Sequence, residues 1–217
     1  MTQSEENYLK IIYHLSLVSK TDISTNAIAE KMDTKASSVT DMLKKLAEKE
    51  LIDYLKYQGV SLTEKGLLTA KMIVRKHRLW EVFLVDKLNF SWDEVHEIAE
   101  ELEHIKSDKL IDKLDEYLEY PSEDPHGDPI PDKNGKILKI EKQLLSDLEI
   151  NKKCICIGVK DSSSGFLQYL DKHKIALGSK ITILEKESFD NSMTIEIKKN
   201  KVLISSKIAN NLFVRKG

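Results

Sequence analysis

Apolar residues recur at helical spacing through the first 118 residues and at strand spacing from about residue 152 onward, and that change of period divides the chain. Over residues 4–19, Tyr8, Leu9, Ile11, Ile12 and Leu15 form the buried stripe of one helix. Ser24 or Thr25 then caps a short helix over 26–32, where Ala27, Ile28 and Ala29 leave room for close packing. After a tight break at Thr34 and Lys35, a helix over 36–48 turns Val39, Met42, Leu43 and Leu46 inward, which is helix-turn-helix spacing. Two short strands, 52–56 and 60–62, joined at Tyr57, Gln58 and Gly59, read as a hairpin wing.

Thr63 caps a long helix that runs to about Leu88, and Asn89 is its stop. Ser91 with Glu94 forms a capping box that opens the next helix. A third helix, 107–118, carries Ile111, Leu114 and Leu118 at helical spacing, and exposed apolar residues there suit a dimer seam. All four prolines fall in PSEDPHGDPIPDKNG, residues 121–135, which must be extended or turning. Beyond it, strands are predicted at 154–159, 180–185, 193–198, 202–205 and 212–215, with helical interruptions at 165–173 and 206–210, as in a small barrel. The expected architecture is mainly α with a small all-β domain. Its parts are a winged helix-turn-helix over 1–66, a helical metal-binding and dimerisation region over 67–132, a linker over 133–151 and a barrel over 152–217.

The composition, 41% hydrophobic and 32% charged, is that of an ordinary globular protein. No apolar run approaches the roughly 18 residues that a membrane helix needs, and the polar start MTQSEENYLK has no leader pattern, so a cytoplasmic protein with no membrane partner is expected. Cys154 and Cys156, two apart in a strand, point to one side of a sheet; two thiolates cannot complete a tetrahedral metal site, and core packing is their expected role. The net charge of −2 conceals a partition: residues 1–78 carry +3, 79–132 carry −13 and 133–217 carry +8. The middle of the chain attracts cations.

That middle holds the candidate chemistry. His96, Glu100, Glu103 and His104 sit at i, i+4, i+7 and i+8, on one face at about 100° per residue, beside the apolar face of Val95, Ile98, Ala99, Leu102 and Ile105. His77 and Glu81 are one turn apart on the preceding helix. His96 and His104 are roughly 12 Å apart along the axis, too far for one ion, so two are implied. Glu100, Glu103 and His104 would hold one, and His77, Glu81 and His96 the other. Any single pair of this kind is more often solvated surface; six candidates in two registers favour metal. His126 lies in the proline-rich loop with Asp124, and a single loop histidine is ordinarily solvated.

On the helix over 36–48, the outward face near the N-terminal end carries Ser37, Ser38, Thr40, Asp41 and Lys44, preceded by Lys35; with Tyr57 and Gln58 of the wing these suit groove edges and phosphates. Residues 1–66 are nearly neutral, with 9 basic and 10 acidic side chains, so a helical packing module with no nucleic acid partner is the competing reading.

Five motifs in order, SEENYLKIIYHL, ASSVTDMLKKL with its wing, RKHRLWEVFL, VHEIAEELEHIKSD and DPHGDPIP, resemble the diphtheria toxin repressor family of metal-dependent repressors, in its manganese transport regulator branch. The resemblance covers residues 1 to about 132 closely, and the final barrel is similar to the SH3-like, ferrous iron transport A type domain of longer members. It implies one metal site from Asn7, Glu100, Glu103 and His104, and a second from His77, Glu81 and His96, completed by Asp124, His126 and Asp161. It implies two Mn(II) or Fe(II) ions per subunit, a homodimer, and a palindromic double-stranded operator controlling metal-homeostasis genes. Asn7 stands where relatives place Asp or Met, and its amide brings an oxygen without charge. Glu100 stands where the iron-sensing branch has Cys, and this hard ligand favours Mn(II).

Two other classes remain in view. Glu101 and His104 match the Glu-x-x-His pattern of ferritin-like di-metal enzymes, although His77 and Glu81 do not repeat it. A winged-helix regulator sensing an organic ligand would carry the His/Glu stripe only as surface. Neither a His-Glu-x-x-His helix nor a nucleophile elbow is present, and the expectation is a protein that is not an enzyme.

Overall fold

A computed structural model of the chain describes residues 1–19, 22–55, 58–138 and 140–216. The chain divides into two compact units that interleave along the sequence: Met1–Trp80 with Ala99–Tyr117 and Pro131–Ile137, and Glu81–Ile98 with Leu118–Ile130 and Leu138–Gly217.

The first unit opens with α1 (Gln3–Val18), held at its start by a reciprocal cap. The Thr2 hydroxyl accepts the Glu5 N–H at 3.3 Å, and the Glu5 carboxylate accepts the Thr2 N–H at 3.0 Å. Next come α2 (Thr25–Lys31), capped by the Ser24 hydroxyl, and α3 (Ala36–Glu48). Strands β1 (Ile52–Leu55) and β2 (Gly59–Leu62) pair antiparallel as the wing, with Ile52 opposite Leu62, and Ile23 bridges to Val60. Tyr8, Leu9, Ile12, Ile28, Val39, Leu43 and Leu46 build the core; Met42 is half-buried at its edge. The predicted N-terminal winged helix-turn-helix is therefore present.

Helix α4 (Glu64–Leu88) begins in the first unit, where the Thr63 hydroxyl accepts the Gly66 N–H at 3.0 Å, and ends in the second. Asn89 follows it in the left-handed region (φ 57°), the geometry of a helix stop. Helix α5 (Val95–Leu102) is preceded by Ser91, whose N–H and hydroxyl both donate to Glu94.

The ligand helix is shorter than its periodicity predicts, because α5 ends at Leu102 and leaves Glu103 and His104 in the turn beyond it. Glu103 N–H still donates to the Ala99 carbonyl at 2.9 Å, but Ile105 N–H donates only three residues back, to Leu102. The last turn tightens to 3-10 geometry, which keeps Glu103 in helical register while closing the helix. After α6 (Asp108–Tyr117), the buried Arg75 guanidinium donates to the Pro131 carbonyl at 2.9 Å and to Asp115 at 2.7 Å, tying α4, α6 and the end of the proline-rich loop together.

The second unit contains an antiparallel sheet of small SH3-like type. Its strands are β3 (Gln143–Leu144), β4 (Lys153–Val159), β5 (Lys180–Lys186), β6 (Met193–Ile197), β7 (Asn200–Ile204) and β8 (Leu212–Lys216), in the order β3-β8-β4-β5-β6-β7. Helix α7 (Ser164–Lys172) follows β4, and the single turn α8 (Ser206–Ala209) precedes β8. Ile181, Ile183, Ile195 and Val214 pack with Leu167 and Leu170 of α7. Cys154 and Cys156 lie in this core, where burial pushes both thiols up to about 11. Strand β3 lies within the stretch read as linker, since two residues offer no alternation to detect. No helix among the described residues is long and apolar enough to cross a membrane.

Gly66 lies where a Cβ would collide with the Leu51 carbonyl oxygen. Gly66→Ala is expected to destabilise the first unit by about 2 kcal/mol or more, read as a lower denaturant midpoint. An unchanged midpoint would mean that α4 is free to move off the turn before the wing.

Candidate metal centre

Within the first unit, α1 presents Glu6 and Lys10 to the end of α5 and the turn beyond it, and carries Asn7 beside them. Lys10 and Glu6 are buried, and Glu103 is 0% exposed. The Lys10 ammonium donates to Glu100 Oε1 at 2.6 Å and to both oxygens of Glu103 at 2.7 Å. His77 Nδ1 lies 2.7 Å from Glu103 Oε2, and His104 Nδ1 lies 2.6 Å from Glu6 Oε2. His77, Glu100 and Glu103 each bring one ligand atom within 4.8 Å of the others. Asn7 Oδ1 is buried and accepts no hydrogen bond among the described residues. Buried carboxylates demand compensating charge, and a buried acceptor left without a donor suits a cation.

Of the residues the sequence assigns to the first set, Asn7, Glu100, Glu103 and His104 are all in this unit. His77, assigned to the other set, has its Nδ1 on Glu103. Glu6 and Lys10 were not anticipated. Their one sequence signal is that both border the apolar stripe of α1, where a charge is half drawn into the core; their partners lie more than 89 residues away.

In the second unit, Glu81 from α4 meets Asp124 and His126 from the proline-rich loop. All three are buried and bring ligand atoms within 4.8 Å of one another. His126 Nδ1 is 3.7 Å, and His96 Nδ1 3.4 Å, from Glu81 Oε1. The loop is shaped by its own backbone: Asp124 Oδ1 accepts the N–H groups of His126 and Asp128 at 2.8 and 3.0 Å. Gly127 has φ +82°, and a Cβ there would strike the Ile157 carbonyl. The Val159 N–H donates to the His126 carbonyl at 2.9 Å, fastening the loop to β4.

His126 Nε2 lies 2.8 Å from the Trp92 carbonyl, which only accepts, so Nε2 carries the proton and Nδ1 faces the carboxylates. The rings of Trp92 and His126 stack at 11°. This loop histidine is buried, unlike the solvated histidine its position in the sequence leads one to expect. Asp161 belongs to no cluster of potential ligands among the described residues; its carboxylate accepts the Ser163 N–H at 2.9 Å, which lowers its pKa.

On α3, Ser37, Ser38 and Lys44 are exposed, as is Lys35 at its N-cap. Thr40 is half-buried and its hydroxyl donates to the Ala36 carbonyl at 3.0 Å, which diverts one donor from any groove contact. Lys44 lies 3.3 Å from Asp41, an exposed pair of little energetic weight. Gln58 is exposed on the wing; Tyr57 lies outside the described residues.

A winged helix-turn-helix whose first helix closes over buried carboxylates and imidazoles defines a class, the DNA-binding regulators with cation-responsive centres. Family models agree. The iron-dependent repressor N-terminal DNA-binding domain matches residues 1–60, the iron-dependent repressor metal-binding and dimerisation domain matches 63–132, and the FeoA domain matches 143–216. The chain belongs to this family of metal-dependent transcriptional repressors. It is 38% identical over 119 residues to an uncharacterised HTH-type transcriptional regulator of Methanocaldococcus jannaschii, covering 55% of this chain and 95% of that protein. It is 34% identical over 131 residues to the iron-dependent repressor IdeR of Mycobacterium tuberculosis, covering 60% of this chain and 56% of the relative. Among solved structures, a manganese-dependent transcriptional repressor in complex with manganese superposes with a TM-score of 0.86 at 33% identity, over 98% of this chain and 100% of the other.

The centre in the second unit has a pH signature. Burial disfavours a charged His126, but Glu81, Asp124 and the Trp92 carbonyl outweigh it, and the pKa is pushed up to about 9 from 6.5. The stability this contributes is complete below pH 6.5 and is lost as pH rises through 9. In chelator, the thermal midpoint is expected to fall between pH 7 and 9.5 more steeply for the wild type than for His126→Gln. Parallel slopes would show that the imidazolium is not held.

Proposed function

We propose that the chain is a homodimeric repressor that binds a palindromic operator when divalent cations, two per subunit, occupy its carboxylate and imidazole clusters. Mn(II) is the preferred ion and Fe(II) the second choice. The observation that carries this reading is the buried, unpartnered Asn7 Oδ1 on α1, in the compact unit that also holds Glu100, Glu103 and His104. Those four residues are proposed as one ligand set. Glu81, His96, Asp124 and His126 are proposed as the other, with His77 retained as a ligand candidate.

The donor chemistry supports the choice of ion. Both sets consist of carboxylate or amide oxygens and imidazole nitrogens, and the chain's two cysteines are in the core of the sheet. Hard oxygen donors suit Mn(II), and imidazole leaves room for Fe(II). Bound there, the ion supplies positive charge that several buried carboxylates can share.

The chain's own residues would then do the positioning. Asn7 belongs to α1, which packs in one core with the recognition helix α3. Holding Asn7 against the end of α5 fixes how that head is carried. In a dimer the two α3 helices must reach successive major grooves about 34 Å apart, and a fixed head meets that spacing more of the time. Operator and cation therefore favour one arrangement, and each must tighten the binding of the other by the same factor. Ser37, Ser38 and Lys44, with Lys35, Gln58 and, at less advantage, Thr40, are the proposed DNA contacts.

A palindromic operator selected from a random library is expected to shift in a gel with Mn(II) and to be released by chelator. Glu103→Ala with His104→Ala should weaken the Mn(II)-dependent complex at least roughly tenfold, about 1.4 kcal/mol. Binding that persists in chelator would refute metal control and favour a regulator of another kind. Titration with Zn(II) at the same free concentration tests the choice of ion, an equal response counting against Mn(II) preference. Lys44→Ala should weaken binding to all sequences alike and reduce the slope of log affinity against log salt by about 1; an unaltered slope would remove Lys44 from the phosphate contacts.

A further inference from the structure

Lys10 puts its ammonium on the oxygens that the proposed metal would need. It donates to Glu100 Oε1 and to both oxygens of Glu103 at 2.6 to 2.7 Å, and an ammonium has three N–H groups, so these oxygens engage all of them. Lys10 is 7% exposed and Glu103 fully buried, so water screens the Lys10–Glu103 pair weakly. The Glu100 and Glu103 oxygens that accept from Lys10 are those that would coordinate a divalent ion, and two cations crowded onto the same oxygens repel one another.

We propose that Lys10 is a tethered competitor: its ammonium neutralises Glu100 and Glu103 in the metal-free protein, has to withdraw when the ion enters, and so raises the metal concentration at which this centre fills. This rests on the reading that the cluster binds a divalent cation. The arrangement has two consequences. Without that positive partner, the carboxylates of Glu100 and the fully buried Glu103 would repel one another, so Lys10 keeps the empty centre assembled. The cation is also displaceable, because the lysine charge sits on a flexible four-carbon stem rather than in a planar fork that holds two oxygens at once. An ordinary structural ion pair makes the opposite forecast, since removing its lysine would splay the carboxylates and weaken metal binding.

The test uses the full chain without DNA, with free Mn(II) followed by electron paramagnetic resonance. Lys10→Met keeps the apolar stem and removes the charge; it should bind the ion at this centre roughly tenfold or more tightly, while Lys10→Arg should bind no more tightly than the wild type. Equal or weaker binding by Lys10→Met overturns the proposal. Glu103→Gln is the control for the reading beneath it. Should that change leave the Mn(II) stoichiometry and affinities untouched, the cluster holds no ion and both ideas fall; should it remove one ion while Lys10→Met changes nothing, only the competitor falls. A measurement on the wild type covers the case in which Lys10→Met does not fold. Amine acetylation read by mass spectrometry should find Lys10 protected in chelator and labelled faster in Mn(II), and equal labelling in the two conditions overturns the proposal.

Discussion

A carboxylate taken wholly out of water must meet positive charge or give up its own. Glu103 is completely buried, and the effective penalty for an isolated ion in such a place is several kcal/mol. In the first unit that demand is met by the Lys10 ammonium and by contact with His77, so α1 and α4 are held to the end of α5 by electrostatics as much as by packing. Glu81 in the second unit is under the same constraint and meets it with imidazoles from α5 and from the proline-rich loop. In both units the placement of a buried carboxylate is thereby coupled to that of a cationic or imidazole partner.

This coupling accounts for details that would otherwise look like excess. The start of α1 is fixed twice, by its reciprocal cap and by Lys49, which donates to Glu5 at 2.6 Å and lowers its pKa. A helix that carries one side of a charge cluster has to be held in rotation, because a shift of one residue would turn Lys10 by about 100° away from Glu103. The loop that supplies Asp124 and His126 is fixed by the Asp124 side chain, by Gly127 against Ile157 and by its hydrogen bond to β4.

Much of this could be read from the residues. The winged helix-turn-helix follows from caps and from apolar spacing, and His96, Glu100, Glu103 and His104 were recognisable as a stripe on one face. The stripe extends past the end of α5, because Glu103 keeps its helical hydrogen bond after regular helix has stopped. The burial of His126 is not legible locally, since nothing in the loop distinguishes a buried histidine from a solvated one, and only the family resemblance points to it; its ring meets the carbonyl of Trp92, 34 residues earlier. Lys10 and Glu6 escaped notice because an ionic side chain beside an apolar stripe is ordinarily a surface residue.

What the sequence alone determined is the kind of each element and the residue types available on each face. Those depend on interactions between residues one to four positions apart, which a linear pattern records faithfully. Which charges meet was decided by the tertiary structure alone. Lys10 and Glu103 are 93 positions apart, and their ion pair exists because the fold of the first unit brings distant segments together. The strength of that pair follows from the water excluded around it, a property of the folded volume that has no counterpart in the order of residues.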